Sequence, residues 1–439
     1  MSQERFSTVL ISGLTLTAIL FVGIFIGKGG DRPGYASESY EELQVFAEVL
    51  SQIKKHYVDK TETKDLVQGA LRGMLASLDP HSSFMTTDMF KEMQVETKGE
   101  FGGLGIQIGI KERRLTVIAP IEDTPAFAAG IQAGDTIIKV DDKATKDLTL
   151  MEAVQHMRGQ RGTSVTLTII REGIEKPLIF KITRDIIKIQ SVRSKILEGN
   201  IGYIRMTQFQ ESTANDVTKE LEHLITKHIQ GLILDVRNNP GGLLTSAVRV
   251  SEQFLEAGRL VVSIQGRNEK KVEYRAGANS KHYQYPMIVL INHGSASASE
   301  IVAAAMQDWG KAVIIGTTSF GKGSVQTILP LSDGSGLRLT TAKYYTPKGK
   351  SIHSIGVKPD IVIDLKAIQV AKKDPAEGKE GGKGSNTPAG TTPKAETKEA
   401  GKPSDPNAPQ PVPPEDVQLL KAVEMLKSWK VFKQILPAA

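Results

Sequence analysis

The chain has 439 residues, 40% hydrophobic and 5% aromatic, enough for two or three globular units with cores of their own. Its 55 basic and 49 acidic side chains leave a formal net charge of +6 with no basic block interleaved with aromatics, which argues against nucleic acid as a partner. The absence of cysteine excludes a disulfide framework, a thiol nucleophile and thiolate metal sites, and leaves the compartment open.

The first predicted element is an uncharged run of 19 residues, Val9 to Gly27, preceded by Arg5 and followed by Lys28. Its length suffices to span a bilayer, and Gly34 and Ala36 supply small residues at the −3 and −1 positions of a cleavage site. Residues 1–36 are therefore expected to be a signal peptide or a membrane anchor. Either use puts the rest of the chain in the periplasm or on the extracytoplasmic face of the cell membrane.

From Tyr40 to Tyr57, Leu43, Phe46, Leu50, Ile53 and Tyr57 recur at spacings of three and four, the seam of an amphipathic helix. Leu66, Ala70, Leu71, Met74 and Leu78 continue the helical pattern until Asp79-Pro80 stops it. Residues 37–95 thus read as a helical N-terminal region, and the a/d-like seam suits contact with a second copy.

Residues 96–185 change texture to short β-branched runs between glycines: Leu104 to Ile108, Leu115 to Ile118, Thr136 to Val140, Val165 to Ile170 and Leu178 to Ile182. Brief helical signals fall at Pro125 to Ala129 and Leu150 to Met157. Residues 186–365 alternate strand and helix. Strands are predicted at Ile201 to Met206, Leu232 to Val236, Leu260 to Ile264, Met287 to Ile291 and Val313 to Ile315, and helices at Ala214 to Thr226, Leu244 to Leu255 and Ala298 to Trp309. Val325 to Leu329 and Gly336 to Tyr345 read as further strands. Residues 372–414, rich in Lys, Gly, Pro and Thr, carry too little apolar surface to fold and are expected to form a disordered linker. Residues 415–439 restore helical periodicity, and a helix tethered in this way is expected to dock on its own core or on a second copy.

Three segments carry residues suited to chemistry. In Asn292-His-Gly-Ser-Ala-Ser-Ala-Ser-Glu300, a strand end leads into a helix start, where backbone amides and the helix dipole favour developing negative charge. Read alone, Ser297-x-x-Glu300 is also a capping box, a role compatible with nucleophilic use. His293 is close in sequence, but no acidic context marks it as the partner of a Ser/His/Asp triad. Lys322, in Phe320-Gly-Lys-Gly-Ser324, is by default an exposed lysine. To act as a base at pH 7 it must be neutral, at a cost of about 4.6 kcal/mol from its ordinary pKa, so its pocket must lower that pKa by burial. Gly316 to Gly323 also has the spacing of a phosphate-binding loop, but lacks the final hydroxyl and is followed by a strand pattern where such a loop opens a helix. Asp235-Val-Arg-Asn-Asn-Pro-Gly-Gly-Leu243 is a strand running into a tight turn, which can aim backbone N–H groups at a reacting carbonyl.

Together the segments Asp235 to Gly242, Gly294-Ser-Ala-Ser-Ala-Ser-Glu-Ile301 and Phe320-Gly-Lys-Gly-Ser-Val-Gln326 resemble the C-terminal processing peptidases, over roughly Tyr40 to Leu365. That resemblance implies Ser297 as nucleophile, Lys322 as general base 25 residues later, and Gln326 orienting the lysine. It implies an oxyanion hole from the backbone amides of Ala298 and of Gly242, or else Gly241, and it calls for no metal and no cofactor. Phe101-Gly-Gly-Leu-Gly-Ile106 and Thr124 to Asp135 are similar to the carboxylate loop and the helix-turn of a PDZ domain. On that likeness Gly103, Leu104, Gly105 and Ile106 would hold a substrate's C-terminus, with the chain added along the strand from Leu104.

The implied fold is a multidomain α/β protein: a crotonase-like (ClpP-like) core with an inserted β-rich PDZ domain, a helical N-terminal region and a C-terminal helix. The implied function is a serine endopeptidase of the cell envelope that recognises nonpolar C-terminal tails. Expected partners are tailed protein substrates, an adaptor protein, the membrane through the N-terminal segment, and further copies of the chain in a homo-oligomer. A catalytically silent PDZ-bearing envelope scaffold is the alternative, and an acyl-CoA enzyme of crotonase type would leave Ser297 and Lys322 without purpose. The chain's own nonpolar end, Ile435 to Ala439, is of the kind such a PDZ groove accepts.

Overall fold

The computed structural model describes residues 35–267, 269–278, 283–364 and 416–435. The uncharged run at 9–27, the segment 372–414 and the last residues of the chain lie outside them. Among the described residues no helix is long and apolar enough to cross a membrane.

The chain divides into two compact units, one up to Phe84 and one from Met85 onward. The first holds α1 (Tyr35–His56) and α2 (Thr63–Ala76). The α1 seam is largely open, with Leu43 and Phe46 exposed, whereas α2 buries Leu75. A short strand β1 (Ser83–Met85) spans the boundary.

The second unit opens with α3 (Thr87–Lys98), a helix that the apolar spacing did not reveal because it buries no residue fully. Its ends are nevertheless chemically marked: Thr86 caps the N–H of Met89 at 3.4 Å, and Gly99 closes the helix in the left-handed region at φ 75°. The β-rich domain follows as β2 (Glu100–Gly103), β3 (Ile106–Lys111), β4 (Arg114–Pro120), α4 (Pro125–Ala128), β5 (Thr136–Val140), β6 (Lys143–Ala144), α5 (Leu150–Met157), β7 (Ser164–Ile170), β8 (Leu178–Thr183) and β9 (Asp185–Lys188). The single run expected at Leu104 to Ile108 is broken, because Gly105 turns the chain at φ 78° between β2 and β3. Strands β3-β4-β5-β7-β8 form one sheet over a core of its own that includes Val117, Ile137, Leu167 and Ile169. Strand β2 pairs instead with β9, in register Gly103 opposite Asp185.

The α/β core comprises β10 (Val192–Leu197), β11 (Ile201–Met206), α6 (Thr213–Thr226), β12 (Gly231–Asp235), α7 (Leu244–Glu252), β13 (Leu260–Gly266), β14 (Val272–Arg275), β15 (Met287–Ile291), α8 (Ala298–Asp308), β16 (Val313–Gly316), β17 (Ser324–Pro330), β18 (Gly336–Tyr345) and β19 (Ile361–Val362). Its main sheet runs β10-β11-β12-β15-β16-β19, parallel from β11 to β19 with β10 antiparallel at the edge. Every residue of β12 and β15 is buried, the pattern of parallel strands covered on both faces. One face packs on α6, α7 and α8 through residues such as Leu221, Ala247 and Val302. The other receives α9 (Val417–Ile435), whose Leu419, Ala422, Val423 and Leu426 meet Ile233, Ile288, Leu290 and Ile315. The C-terminal helix therefore docks on the chain's own core. Strands β14, β13, β18 and β17 are joined in a separate antiparallel arrangement, with Tyr344 of β18 opposite Ile264 of β13.

Candidate active site

Three loops leave the carboxyl ends of adjacent parallel strands, where ligands bind in open α/β sheets: 236–243 after β12, 292–297 after β15 and 317–323 after β16. Side chains lock the first two together. Asn292 Nδ2 donates to Asn238 Oδ1 and Asn238 N–H donates to Asn292 Oδ1, both at 2.8 Å. Ser295 Oγ donates to the Val236 carbonyl at 2.8 Å, and Ser299 Oγ to the Asn239 carbonyl at 2.9 Å.

Ser297 stands at the start of α8 with φ 56° and ψ −113°, a strained conformation for a residue with a side chain. Strain of this kind is found where a helix start must present a side chain outward. The Ser297 N–H donates to Glu300 Oε2 at 2.7 Å, and its carbonyl accepts from Glu300 and Ile301 N–H at 2.9 and 3.0 Å.

The Pro-Gly-Gly turn lies directly beside it. A Cβ on Gly241 would fall 2.8 Å from Ser297 Cβ, and one on Gly242 would fall 2.1 Å from the Phe209 carbonyl oxygen, so both positions require glycine. The Gly241 N–H is already used, donating to Asn239 Oδ1 at 2.9 Å. Among the described residues the N–H groups of Gly242 and Ala298 have no partner. Of the two glycines open from sequence, Gly242 is the one left with a free donor.

Glu300 is fully buried and holds the third loop. Its Oε1 accepts from Ser319 Oγ and Gly321 N–H, at 2.5 and 2.7 Å, and its Oε2 accepts from Lys322 N–H at 2.9 Å. Lys322 is half-buried and leads into strand β17, so the helix that a phosphate-binding loop needs is absent here. Burial lowers the lysine's pKa, the nearby positive charge of Arg338 lowers it further, and Glu300 opposes both. A nearby histidine is not buried: His293 is exposed, its ring 5.9 Å from that of Phe320. Gln326 is on β17, and its amide nitrogen donates to Ser324 Oγ at 2.9 Å and to Thr340 Oγ1 at 3.4 Å. The lysine contact expected of it is not among these bonds.

In the β-rich domain, β3 is an edge strand of its sheet, the position from which strand addition proceeds. The preceding loop is fixed by its carbonyls, Leu104 O accepting from Ala126 N–H at 2.9 Å and Gly105 O from Ile121 N–H at 2.8 Å. Among the described residues the N–H groups of Leu104 and Gly105 have no partner. Gly103 is paired within β2, and Ile106 opens β3 opposite Pro120.

Glu300, Ser319, Asn239 and Tyr344 were not legible as parts of the site. Glu300 showed only its capping spacing, and Tyr344 arrives from a strand more than forty residues away in sequence with no local signal.

Comparison with known proteins agrees with the layout. The family described as Peptidase family S41 matches residues 200–363, PDZ domain matches 102–182, and Activating protease CtpB N-terminal domain matches 30–89. The carboxy-terminal-processing protease of Bartonella bacilliformis is 49% identical over 331 residues, which cover 74% of this chain and 76% of that protein. The carboxy-terminal processing protease CtpA of Bacillus subtilis is 37% identical, covering 82% of this chain and 77% of the relative. Among solved structures, a photosystem II D1 C-terminal processing protease aligns at 30% identity with a TM-score of 0.43, covering 73% of this chain and 92% of the other. The chain belongs to the carboxy-terminal processing proteases, serine-type peptidases of family S41 that carry a PDZ domain.

Proposed function

We propose that this peptidase takes the nonpolar C-terminal tails of protein substrates onto β3 and the Leu104-Gly105 loop, and cleaves them through an acyl-enzyme on Ser297 with Lys322 as base. The observation that carries the reading is the pair of unpartnered N–H groups, Gly242 and Ala298, flanking a strained serine at a helix start. Neutral Lys322 takes the Ser297 proton as Oγ bonds to the scissile carbonyl carbon. The oxyanion rests on the two N–H groups, and the lysine ammonium then protonates the departing amine. Water, deprotonated by the same lysine, releases the acyl group. Gln326, whose amide oxygen is not engaged by the bonds described, orients the lysine amine from β17.

The Val9 to Gly27 run supports attachment to a membrane and an extracytoplasmic site of action. The open seam of α1 supports assembly with further copies, and the edge strand of the β-rich domain leaves room for an adaptor that presents tails. The test is hydrolysis of an unfolded protein ending in nonpolar residues. Loss of cleavage in both Ser297→Ala and Lys322→Ala is expected, and cleavage retained in either would remove that residue from the mechanism. Replacing the substrate's tail by charged residues is expected to raise KM; an unchanged KM would remove the tail preference.

A further inference from the structure

The Pro-Gly-Gly turn is packed between the nucleophile on one side and the backbone of Phe209 on the other. Phe209 N–H donates to the Gly241 carbonyl at 2.9 Å, and the Phe209 carbonyl accepts from Leu243 N–H at 2.8 Å. A trans peptide is planar, with its carbonyl and its N–H pointing opposite ways. Holding the Gly241 carbonyl on Phe209 therefore turns the Gly242 N–H, the other end of the same peptide, away from Phe209 and leaves it free. The turn alone does not fix this orientation. Glycines stand on both sides of that peptide, at φ 103° and 142°, and a peptide between two glycines flips at little steric cost.

The peptide one step back is held in the same way. The unit joining Gln208 to Phe209 presents its N–H to Gly241, and its carbonyl accepts from Thr213 Oγ1 at 3.2 Å. Thr213, the first residue of α6, is fully buried; its hydroxyl oxygen also accepts from Gln210 N–H at 2.8 Å and lies 2.7 Å from Ser191 Oγ. A hydroxyl has one proton and two acceptor positions. The Gln208 carbonyl can only accept, so the Thr213 proton goes there, and Gln210 N–H and Ser191 O–H take the two lone pairs. An unbroken line of donors results: Thr213 O–H to the Gln208 carbonyl, Phe209 N–H to the Gly241 carbonyl, and Gly242 N–H at the end. Bonds in such a line polarise one another, so the last donor is strengthened as well as aimed.

We propose that Thr213 is a positioning residue for the peptidase reaction, whose hydroxyl aims the Gly242 N–H at the oxyanion through the two peptide units that begin at Gln208 and Gly241. This rests on Gly242 N–H as an oxyanion donor. A threonine at this place would otherwise only tie the turn that leads into α6. The two roles differ in their effect on a bound tetrahedral species.

The test uses the full-length chain, an unfolded protein ending in nonpolar residues as substrate, and a short peptide boronic acid, which forms a tetrahedral adduct with a serine nucleophile. Thr213→Val keeps the side chain's shape and removes the hydroxyl. A kcat about tenfold lower at unchanged KM is expected, with the Ki of the boronic acid raised by the same factor. Thr213→Ser restores the hydroxyl and is expected to bring both values to within about twofold of wild type. A lowered kcat with an unchanged Ki would report only a loss of folded enzyme and overturns the proposal, as does a wild-type kcat in the valine variant. Should Thr213→Val fail to fold, phenyllactic acid at position 209 replaces the Phe209 N–H by an ester oxygen, cutting the same line while keeping every side chain. There too kcat is expected to fall about tenfold or more, and an unchanged kcat overturns the proposal. Glycolic acid at position 242, which removes that N–H alone, separates the two readings. If it leaves kcat at the wild-type value, Gly242 is not an oxyanion donor and the underlying reading fails; if it lowers kcat about 100-fold while Thr213→Val does not lower it, only the role of Thr213 fails.

Discussion

The Glu300 carboxylate accepts the backbone N–H of Lys322 at 2.9 Å, so the loop of the base hangs from the first turn of the helix that starts at the nucleophile. The same carboxylate accepts from Ser297 N–H, Gly321 N–H and Ser319 Oγ, four donors on a fully buried group. An amide offers one oxygen, and in either orientation its NH2 faces at least one backbone N–H, which cannot accept. Glu300→Gln should therefore lose about 2–4 kcal/mol of stability and most of the catalytic rate. Urea unfolding and hydrolysis of a tailed protein measure the two. Wild-type values in both would show that the four bonds do not position the site.

Gly241 tests the oxyanion geometry separately. It has φ 103°, and an added Cβ would meet Ser297 Cβ at 2.8 Å and Ala298 N at 2.9 Å. Gly241→Ala is expected to displace the serine and the neighbouring donor, lowering kcat about 100-fold or more while KM changes little. Gly258→Ala is the matched control, because Gly258 also has positive φ, at 80°, but its Cβ would meet nothing within 4 Å. It should cost stability and leave kcat alone. Equal kcat losses in both variants would assign the effect to backbone strain alone.

Much of this layout could be read from the chain because local signals and tertiary demands coincide. Val313 to Gly316 is short and apolar, Gly241-Gly242 marks a close approach, and Ser297 to Glu300 marks a helix start; each signal lies within a few residues of its consequence. The break at Gly105 was hidden because a glycine inside an apolar alternation signals a turn no more strongly than a flat strand. Helix α3 was hidden because none of its residues is fully buried, so it lacks the apolar stripe that identifies a helix. Tyr344 and Arg338 were hidden for a different reason. They reach Lys322 from β18, a neighbour set by sheet pairing with β17, and no spacing along the chain encodes that.

The docking of α9 extends the network in another direction. Asp235, at the end of the strand that feeds the Pro-Gly-Gly turn, is fully buried and accepts from Arg205, Arg237 and the Tyr203 hydroxyl. Arg237 also reaches Asp416 and Gln418, at 2.8 and 3.0 Å, where α9 begins. Burial works against the charge of Asp416, but its bonds with Arg237 outweigh this and hold its carboxyl below the ordinary range. A lowered folded-state pKa means that stability is present above the unfolded value of about 3.9 and is lost as pH falls through the folded one. Asp416→Asn should therefore destabilise the protein at neutral pH by about 1–3 kcal/mol and flatten its stability profile below about pH 4. Hydrogen exchange should rise first in α9. A variant as stable as wild type at pH 7 would mean that the helix is held by its apolar face alone.

Lys322 carries the last prediction, in which activity and stability move in opposite directions. Its pKa is lowered by burial first and by the charge of Arg338 second. Only the neutral amine can accept the Ser297 proton, so kcat/KM should rise with pH through the folded-state pKa of the lysine. Arg338→Gln removes a like charge and should move that rise to higher pH; a midpoint that stays put would show that burial alone tunes the base. Between the lowered folded value and the unfolded value of about 10.4, the unfolded chain binds a proton that the native chain does not, so stability climbs with pH across that window. Below it both states are protonated, and the native state carries the cost of a half-buried charge in full. Lys322→Met should therefore abolish cleavage while raising stability at pH 7 by about 1–2 kcal/mol and removing the climb. If the methionine variant were less stable than wild type, the lysine would be contributing to the fold, and a site strained for catalysis would be the wrong description of this loop.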